Sequence, residues 1–168
     1  MTVQQLVYRD EPRLADKERV RVIVEKTGFF SEEECRVAVE LLEDRLHNGP
    51  ASDFSFLFAE QDGRVVGYTC YGRIALTRAS YDLYWIAVDP ETQGAGIGRE
   101  LLAESERRVA GEGGERVYAE TSSRPQYVPT RAFYERCGYQ AAATLEDFYA
   151  PGDGKVIFVK RVSDSPSR

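Results

Sequence analysis

The stretch Tyr84–Gly98, YWIAVDPETQGAGIG, constrains this chain more than any other. An apolar run that reads as a strand ends before Pro90, and glycines then stand at positions 94, 96 and 98. Ile97, Leu101, Leu102, Ser105 and Val109 follow at helical spacing, and the pattern stops at Gly111, Gly113 and Gly114, where glycine releases a helical backbone. The segment is therefore a strand, a glycine loop and a helix. Glycine costs conformational entropy wherever it is not needed. A loop with three of them before a helix N-terminus calls for a bulky or anionic group that needs bare amides and the positive end of the helix dipole. Two phosphate cradles do not fit. A Walker A loop requires Lys and then Ser or Thr after its last glycine, whereas Gly98 is followed by Arg99 and Glu100. A dinucleotide fingerprint starts directly after its strand, whereas five residues separate Val88 from Gly94, and Arg99 stands where the third glycine or alanine belongs.

The chain's 168 residues, 42% of them hydrophobic, suffice for one domain with a sizeable core. Arg19–Lys26, RVRVIVEK, alternates charged and β-branched residues and predicts a strand. SEEECRVAVELLEDRLHNG follows as a helix, with Ser31 and Glu34 in capping-box positions. Phe54–Glu60 and Arg64–Ile74, joined through Asp62 and Gly63, predict an antiparallel hairpin, and Tyr81–Val88 a further strand. Beyond the glycine-loop helix, RVYAETS reads as a strand and TRAFYERCG as a short helix. YQAAATLEDFYAPGDGKVIFVKRV reads as two strands joined through APGDG, and SDSPSR as a flexible terminus. Residues 1–18 are then an N-terminal extension, 19–162 one domain and 163–168 a flexible tail.

Charge and composition exclude several classes. A formal charge of -6 argues against a nucleic-acid partner, since phosphates are held by dense Lys and Arg. No apolar segment approaches the roughly 20 residues of a membrane helix, and the polar N-terminus is unlike a signal peptide. This predicts a cytoplasmic protein without a membrane partner. Cys35, Cys70 and Cys137 are odd in number and lack CxxC spacing, which supports neither a disulfide framework nor a zinc site. His47 is the only histidine and sits in a charged helical segment. It reads as a solvated helix residue, and hydrolase triads and multi-histidine metal sites fall away.

Together these residues resemble the GNAT superfamily of acyl-CoA-dependent N-acetyltransferases. The family signature Gln/Arg-x-x-Gly-x-Gly/Ala is met by Gln93, Gly96 and Gly98, preceded by the strand end Ile86, Ala87, Val88 and by Pro90. A later FYERCGY matches the family's Phe/Leu-Tyr-Glu-x-x-Gly-Phe/Tyr. The resemblance runs from about Arg19 to Arg161. It implies an α/β single-domain GNAT fold, a mixed and mostly antiparallel central sheet flanked by helices. It also implies acetyl-CoA as cosubstrate and no metal. Ile86, Ala87 and Val88 would then pair with the pantetheine arm, and Gln93, Gly94, Ala95, Gly96, Ile97, Gly98 and Arg99 would hold the pyrophosphate. Members often place arginines after the signature glutamine, where this chain has Gly94 and Ala95, which shifts charge neutralisation toward amides and Arg99. Many carry an asparagine where this chain has Tyr127, in the long loop SSRPQYVPT.

The implied chemistry is attack of a neutral amine on a thioester. An amine with a pKa near 10.4 sits about 3 units above neutrality, a deprotonation cost of roughly 4 to 5 kcal/mol, so a base is needed. Glu120 falls where some members carry a proton-relaying glutamate; it otherwise reads as a solvated carboxylate or a partner of Arg124. Asp82 is the substitute. Tyr134 corresponds to the family tyrosine that protonates the departing thiolate, and otherwise reads as a core aromatic. Cys137 reads as a small buried hydrophobe. The acceptor wall is expected among Phe29, Phe30, Tyr71, Tyr84, Tyr127, Phe148 and Tyr149. A small-molecule amine such as an amino acid derivative is preferred over a protein N-terminus or lysine. A catalytically silent acyl-CoA sensor and a homodimer both stay open.

Overall fold

The structure, a computed structural model, describes residues 5–92 and 95–163. Among them run β1 (Val7–Arg9), α1 (Asp16–Thr27), α2 (Glu32–Asn48), β2 (Ser55–Gln61), β3 (Arg64–Arg73) and β4 (Ser80–Val88). After the glycine loop come α3 (Ile97–Gly111), β5 (Arg116–Ser122), α4 (Val128–Arg136), β6 (Gln140–Ala150) and β7 (Asp153–Arg161). The β4–β5 pairing is parallel, and β1–β2, β2–β3, β5–β7 and β6–β7 are antiparallel. The seven strands and four helices make the mixed, mostly antiparallel α/β fold that the resemblance implies. The chain forms two compact units, Met1–Gly72 with Trp85–Ser105, and Arg73–Tyr84 with Glu106–Arg168, so that β4 and α3 each contribute to both.

In the first unit the strand order is β1-β2-β3-β4. Val7–Arg9, inside the stretch read as an extension, pairs with Phe58–Glu60. The strand expected at Arg19–Lys26 is instead the body of α1. Val20, Ile23 and Val24 are fully buried, the spacing of one helical face rather than of a pleat. Arg21 reaches Glu18 and Glu25, three residues back and four residues on, and Gly28 closes the helix at a left-handed φ of 70°. The α2 capping box is present in both halves, Ser31 Oγ accepting from Glu34 N and Glu34 accepting from Ser31 N. Phe56, Phe58, Tyr68 and Cys70 join the core of α1 and α2. On the alternate positions of β3, Thr69 bonds Ser105 of α3 at 2.7 Å. Both faces of the hairpin are covered, which is why FSFLFA reads as continuous apolar sequence rather than alternation. Its turn is Asp62-Gly63, with φ of 52° and 76°, as a two-residue hairpin requires.

In the second unit the order is β4-β5-β7-β6. Ala119 pairs with Phe158 and Thr121 with Val156, all four buried on one face. Val117 and Tyr81 bury against the end of α3, where Gly114 leaves no room for a side chain: a Cβ there would lie 2.3 Å from Val109 Cγ1. Every residue of β6 is exposed, and the register shifts twice along its pairing with β7, irregularities of the kind that protect a sheet edge.

Candidate active site

In the first unit, the end of β4 is held from below by β3. A Cβ at Gly67 would lie 3.1 Å from the Ala87 carbonyl oxygen and 3.3 Å from Val88 Cγ2, so only glycine lets the strands approach this closely. Asp89 follows, its side chain 1% exposed. Its amide donates to Val66 O at 2.8 Å, and its carboxylate accepts from the Glu91 amide at 3.1 Å and from the Arg19 guanidinium. Arg19 also donates to Val65 O at 2.7 Å, and Lys26 and Arg64 stand 3.9 and 3.6 Å from the carboxylate. Burial alone would raise the Asp89 pKa; the Arg19 and Glu91 hydrogen bonds and the nearby cations outweigh it and hold the carboxyl below its ordinary value. The 3-10 turn Pro90–Thr92 is thereby pinned immediately before the glycine loop. Sequence reading missed this anchor because Arg19 points to it only from a helix.

Gln93 and Gly94 lie outside the described residues. Beyond them Ala95 and Gly96 are exposed, Ile97 is buried, Gly98 is partly buried and Arg99 is exposed. Gly96 has φ of 76°, and a Cβ built there would meet nothing within 4 Å. Glu100 N donates to Gly96 O at 3.1 Å. Ile97 thus anchors α3 while the backbone before it faces open space, at the end of a helix whose first amides have no helical acceptor. Open space beside exposed backbone, with the helix dipole behind it, is a donor set that fits a diphosphate.

The second unit carries the charged groups. Alternation along β4, β5 and β7 puts Asp82, Tyr118, Glu120 and Lys155 on one face of the sheet. Lys155 Nζ lies 2.8 Å from Glu120 Oε2, 3.8 Å from the Phe148 ring centroid and 5.8 Å from that of Tyr149, and its side chain is 13% exposed. Asp82 is half-buried and, among the described residues, makes no hydrogen bond or ion pair. Burial and the neighbouring Glu120 charge raise its pKa, with Lys155 opposing. Arg124, weighed as a partner for Glu120, pairs instead with Asp153 at 3.1 Å. Lys155 was not anticipated. Its place in an alternating strand marks it as facing away from Val156 and Phe158, but only the β5–β7 register brings Glu120 to it.

Tyr134 occupies the opposite face. Its ring is 5.5 Å from Phe158 and 5.5 Å from Tyr139, and the residue is 5% exposed. Burial, with a smaller effect of Cys137, drives its pKa well above the ordinary value and keeps the hydroxyl protonated. Of the expected wall aromatics, Tyr71 and Tyr127 are buried, and Phe30 packs on Trp85 with centroids 4.8 Å apart. Phe29, Tyr84, Phe148 and Tyr149 are exposed. Among the described residues no group of three or more His, Cys, Asp or Glu is placed to hold a metal, and no helix is long and apolar enough to cross a membrane.

The acetyltransferase (GNAT) family matches residues 18–139. N-alpha-acetyltransferase RimI of Mycobacterium tuberculosis is 31% identical over 113 residues, 67% of this chain and 68% of that protein. A crystal structure from Desulfovibrio desulfuricans, of a chain assigned to the GNAT family, has a TM-score of 0.93 at 45% identity and covers 95% of this chain and 100% of that one. The structure of yncA from Salmonella typhimurium with its cofactor acetyl-CoA shares the fold, with a TM-score of 0.73 and 17% identity over 98% of each chain.

Proposed function

This chain belongs to the GNAT acetyltransferase family, and on that premise we propose that it moves the acetyl group of acetyl-CoA to a primary amine of a small molecule, by direct attack with both substrates bound. The observation that carries this reading is the open backbone at Gly96 and the start of α3, set behind the turn that Asp89 pins. Gln93, Gly94, Ala95, Gly96, Ile97, Gly98 and Arg99 hold the diphosphate, and Ile86, Ala87 and Val88 the pantetheine arm. Acetyl-CoA supplies the activated acetyl thioester and the thiol leaving group.

The chain's own residues handle two protons. The acceptor's ammonium gives one to the carboxylate pair Glu120 and Asp82. Of the two, Asp82 is the one whose proton affinity the site raises, through burial and then the neighbouring Glu120 charge, with Lys155 opposing. Tyr134 gives the proton at its hydroxyl to the departing sulfur, and the second proton, which the nitrogen sheds as the amide forms, restores the hydroxyl through solvent. Tyr134 packs on the sheet face away from Glu120 and Lys155. We place the reaction in the cytoplasm, a reading supported by the lack of a disulfide at Cys35, Cys70 and Cys137 among the described residues. The likeness to RimI favours a second reading, a protein N-terminus as acceptor.

Acetyl-CoA is expected to raise the melting temperature by mass action, while ATP and NADH leave it unchanged. Gly96→Glu should fold and lose the shift, because it adds a negative charge where the diphosphate binds and strains the left-handed backbone at φ of 76°. An equal shift with ATP, or none with saturating acetyl-CoA, overturns the cofactor assignment; a shift without thiol release from any amine or peptide would identify a silent sensor.

For the base, Glu120→Gln and Asp82→Asn should each lower turnover most near neutral pH, with partial recovery at higher pH as the acceptor deprotonates unaided. A loss that is flat with pH in a pH–rate profile counts against that residue's place in the pair.

A further inference from the structure

Asp82, Glu120 and Lys155 share one face of the second unit's sheet, where Glu120 keeps 45% of its side chain exposed and Asp82 is half-buried. Lys155 is committed to Glu120 at 2.8 Å and to the Phe148 ring at 3.8 Å, and is nearly withdrawn from water. Asp82 has no hydrogen bond or ion pair among the described residues. With Asp82 and Glu120 negative and Lys155 positive, the group carries one net negative charge. It stands beside the exposed rings of Phe148 and Tyr149. A single ammonium balances it. An added carboxylate would be repelled by Asp82 and Glu120, with the nearby counter-ion Lys155 already committed. A second ammonium would find its place between carboxylate and ring filled by Lys155, which occupies it as a cation over an aromatic face does.

We propose that Lys155 is a specificity-determining residue that restricts the acceptor to amines bearing one positive charge and no carboxylate, with an apolar or aromatic body resting on Phe148 and Tyr149. This rests on the N-acetyltransferase reading and names its substrate class. An arylalkylamine has the required form: its ammonium meets Asp82 and its ring meets the exposed aromatics. A free amino acid fails by its carboxylate and an aliphatic diamine by its second charge.

The test compares kcat/KM for 2-phenylethylamine, phenylalanine and 1,4-diaminobutane. The parent protein should favour 2-phenylethylamine over each of the others by about 10-fold or more, the scale of one unfavourable charge contact at a partly exposed site. The same order should appear in calorimetric titration of the three amines with CoA present. In Lys155→Met, which keeps an apolar stem and frees Glu120, the ratio of 1,4-diaminobutane to 2-phenylethylamine should rise about 10-fold or more. Lys155→Arg, which keeps the charge, should retain the parental order and separates specificity from folding. Preference for phenylalanine or for peptides over 2-phenylethylamine, or a ratio unmoved in Lys155→Met, overturns the proposal. So does a protein that shifts with acetyl-CoA but neither binds nor acetylates 2-phenylethylamine. Absence of the acetyl-CoA shift itself overturns the underlying N-acetyltransferase reading instead.

Discussion

Tyr134→Phe is expected to lower the single-turnover rate of acetyl transfer by about 10²-fold or more, the range of a positioned general acid, while acetyl-CoA affinity and melting temperature stay close to the parent. The substitution removes one oxygen from a ring that remains packed on Phe158 and Tyr139. Burial keeps that hydroxyl protonated across the working pH range, so the parent enzyme should show no loss of its acid at moderately alkaline pH. Single turnover is the proper readout, because product release sets the steady-state rate of many enzymes. A thiol with a pKa near 8.5 leaves fairly readily, which limits how large the loss becomes. A variant that matches the parent in single turnover returns Tyr134 to a packing role. The loss should also be independent of which amine is the acceptor, since the acid acts on the leaving group alone.

Asp89→Ala should be the most destabilising change near the glycine loop. The carboxylate is 1% exposed and its partner Arg19 16%, and removing one member of a buried pair costs about 3–5 kcal/mol because the other charge is left without compensation. For a chain of 168 residues that corresponds to a fall of about 6–20 °C in Tm. Loss of the Glu91 amide's acceptor frees the Pro90–Thr92 turn as well, so the Kd for acetyl-CoA should rise in parallel. Asp89→Asn keeps an acceptor for Glu91 and removes the charge, and is expected to fall between parent and Asp89→Ala. The pH dependence has a definite sign. Asp89 titrates lower in the folded protein than unfolded. Its contribution is therefore fully present above the unfolded value, about 3.9, and is lost as pH falls toward the folded value. Denaturant titrations of parent and Asp89→Ala should stay apart near pH 4 and converge only as pH falls through the depressed folded value; a gap that persists below that value would assign the loss to packing rather than charge.

What neighbouring residues settle among themselves was legible from sequence. The β4 strand, the glycine loop and α3 were read from consecutive residues, because an apolar run, Pro90, the glycines and the stripe from Ile97 to Val109 each act locally. The capping box at Ser31 and the Asp62-Gly63 turn were legible for the same reason: each is a hydrogen bond or backbone angle made within four residues. The α1 helix was misread, since Val20, Val22 and Val24 satisfy a two-residue period as well as a helical one over so short a segment. The sequence by itself determined the family frame and named Tyr134, Glu120 and the cofactor loop as candidates. Only the tertiary structure decided that Arg19 anchors Asp89 across 70 positions, that Lys155 holds Glu120, and that Tyr134 and Glu120 take opposite faces of the sheet. Those choices follow from strand register and helix docking, where a shift of one residue turns every side chain to the other face and no local propensity records which register the packed core selects.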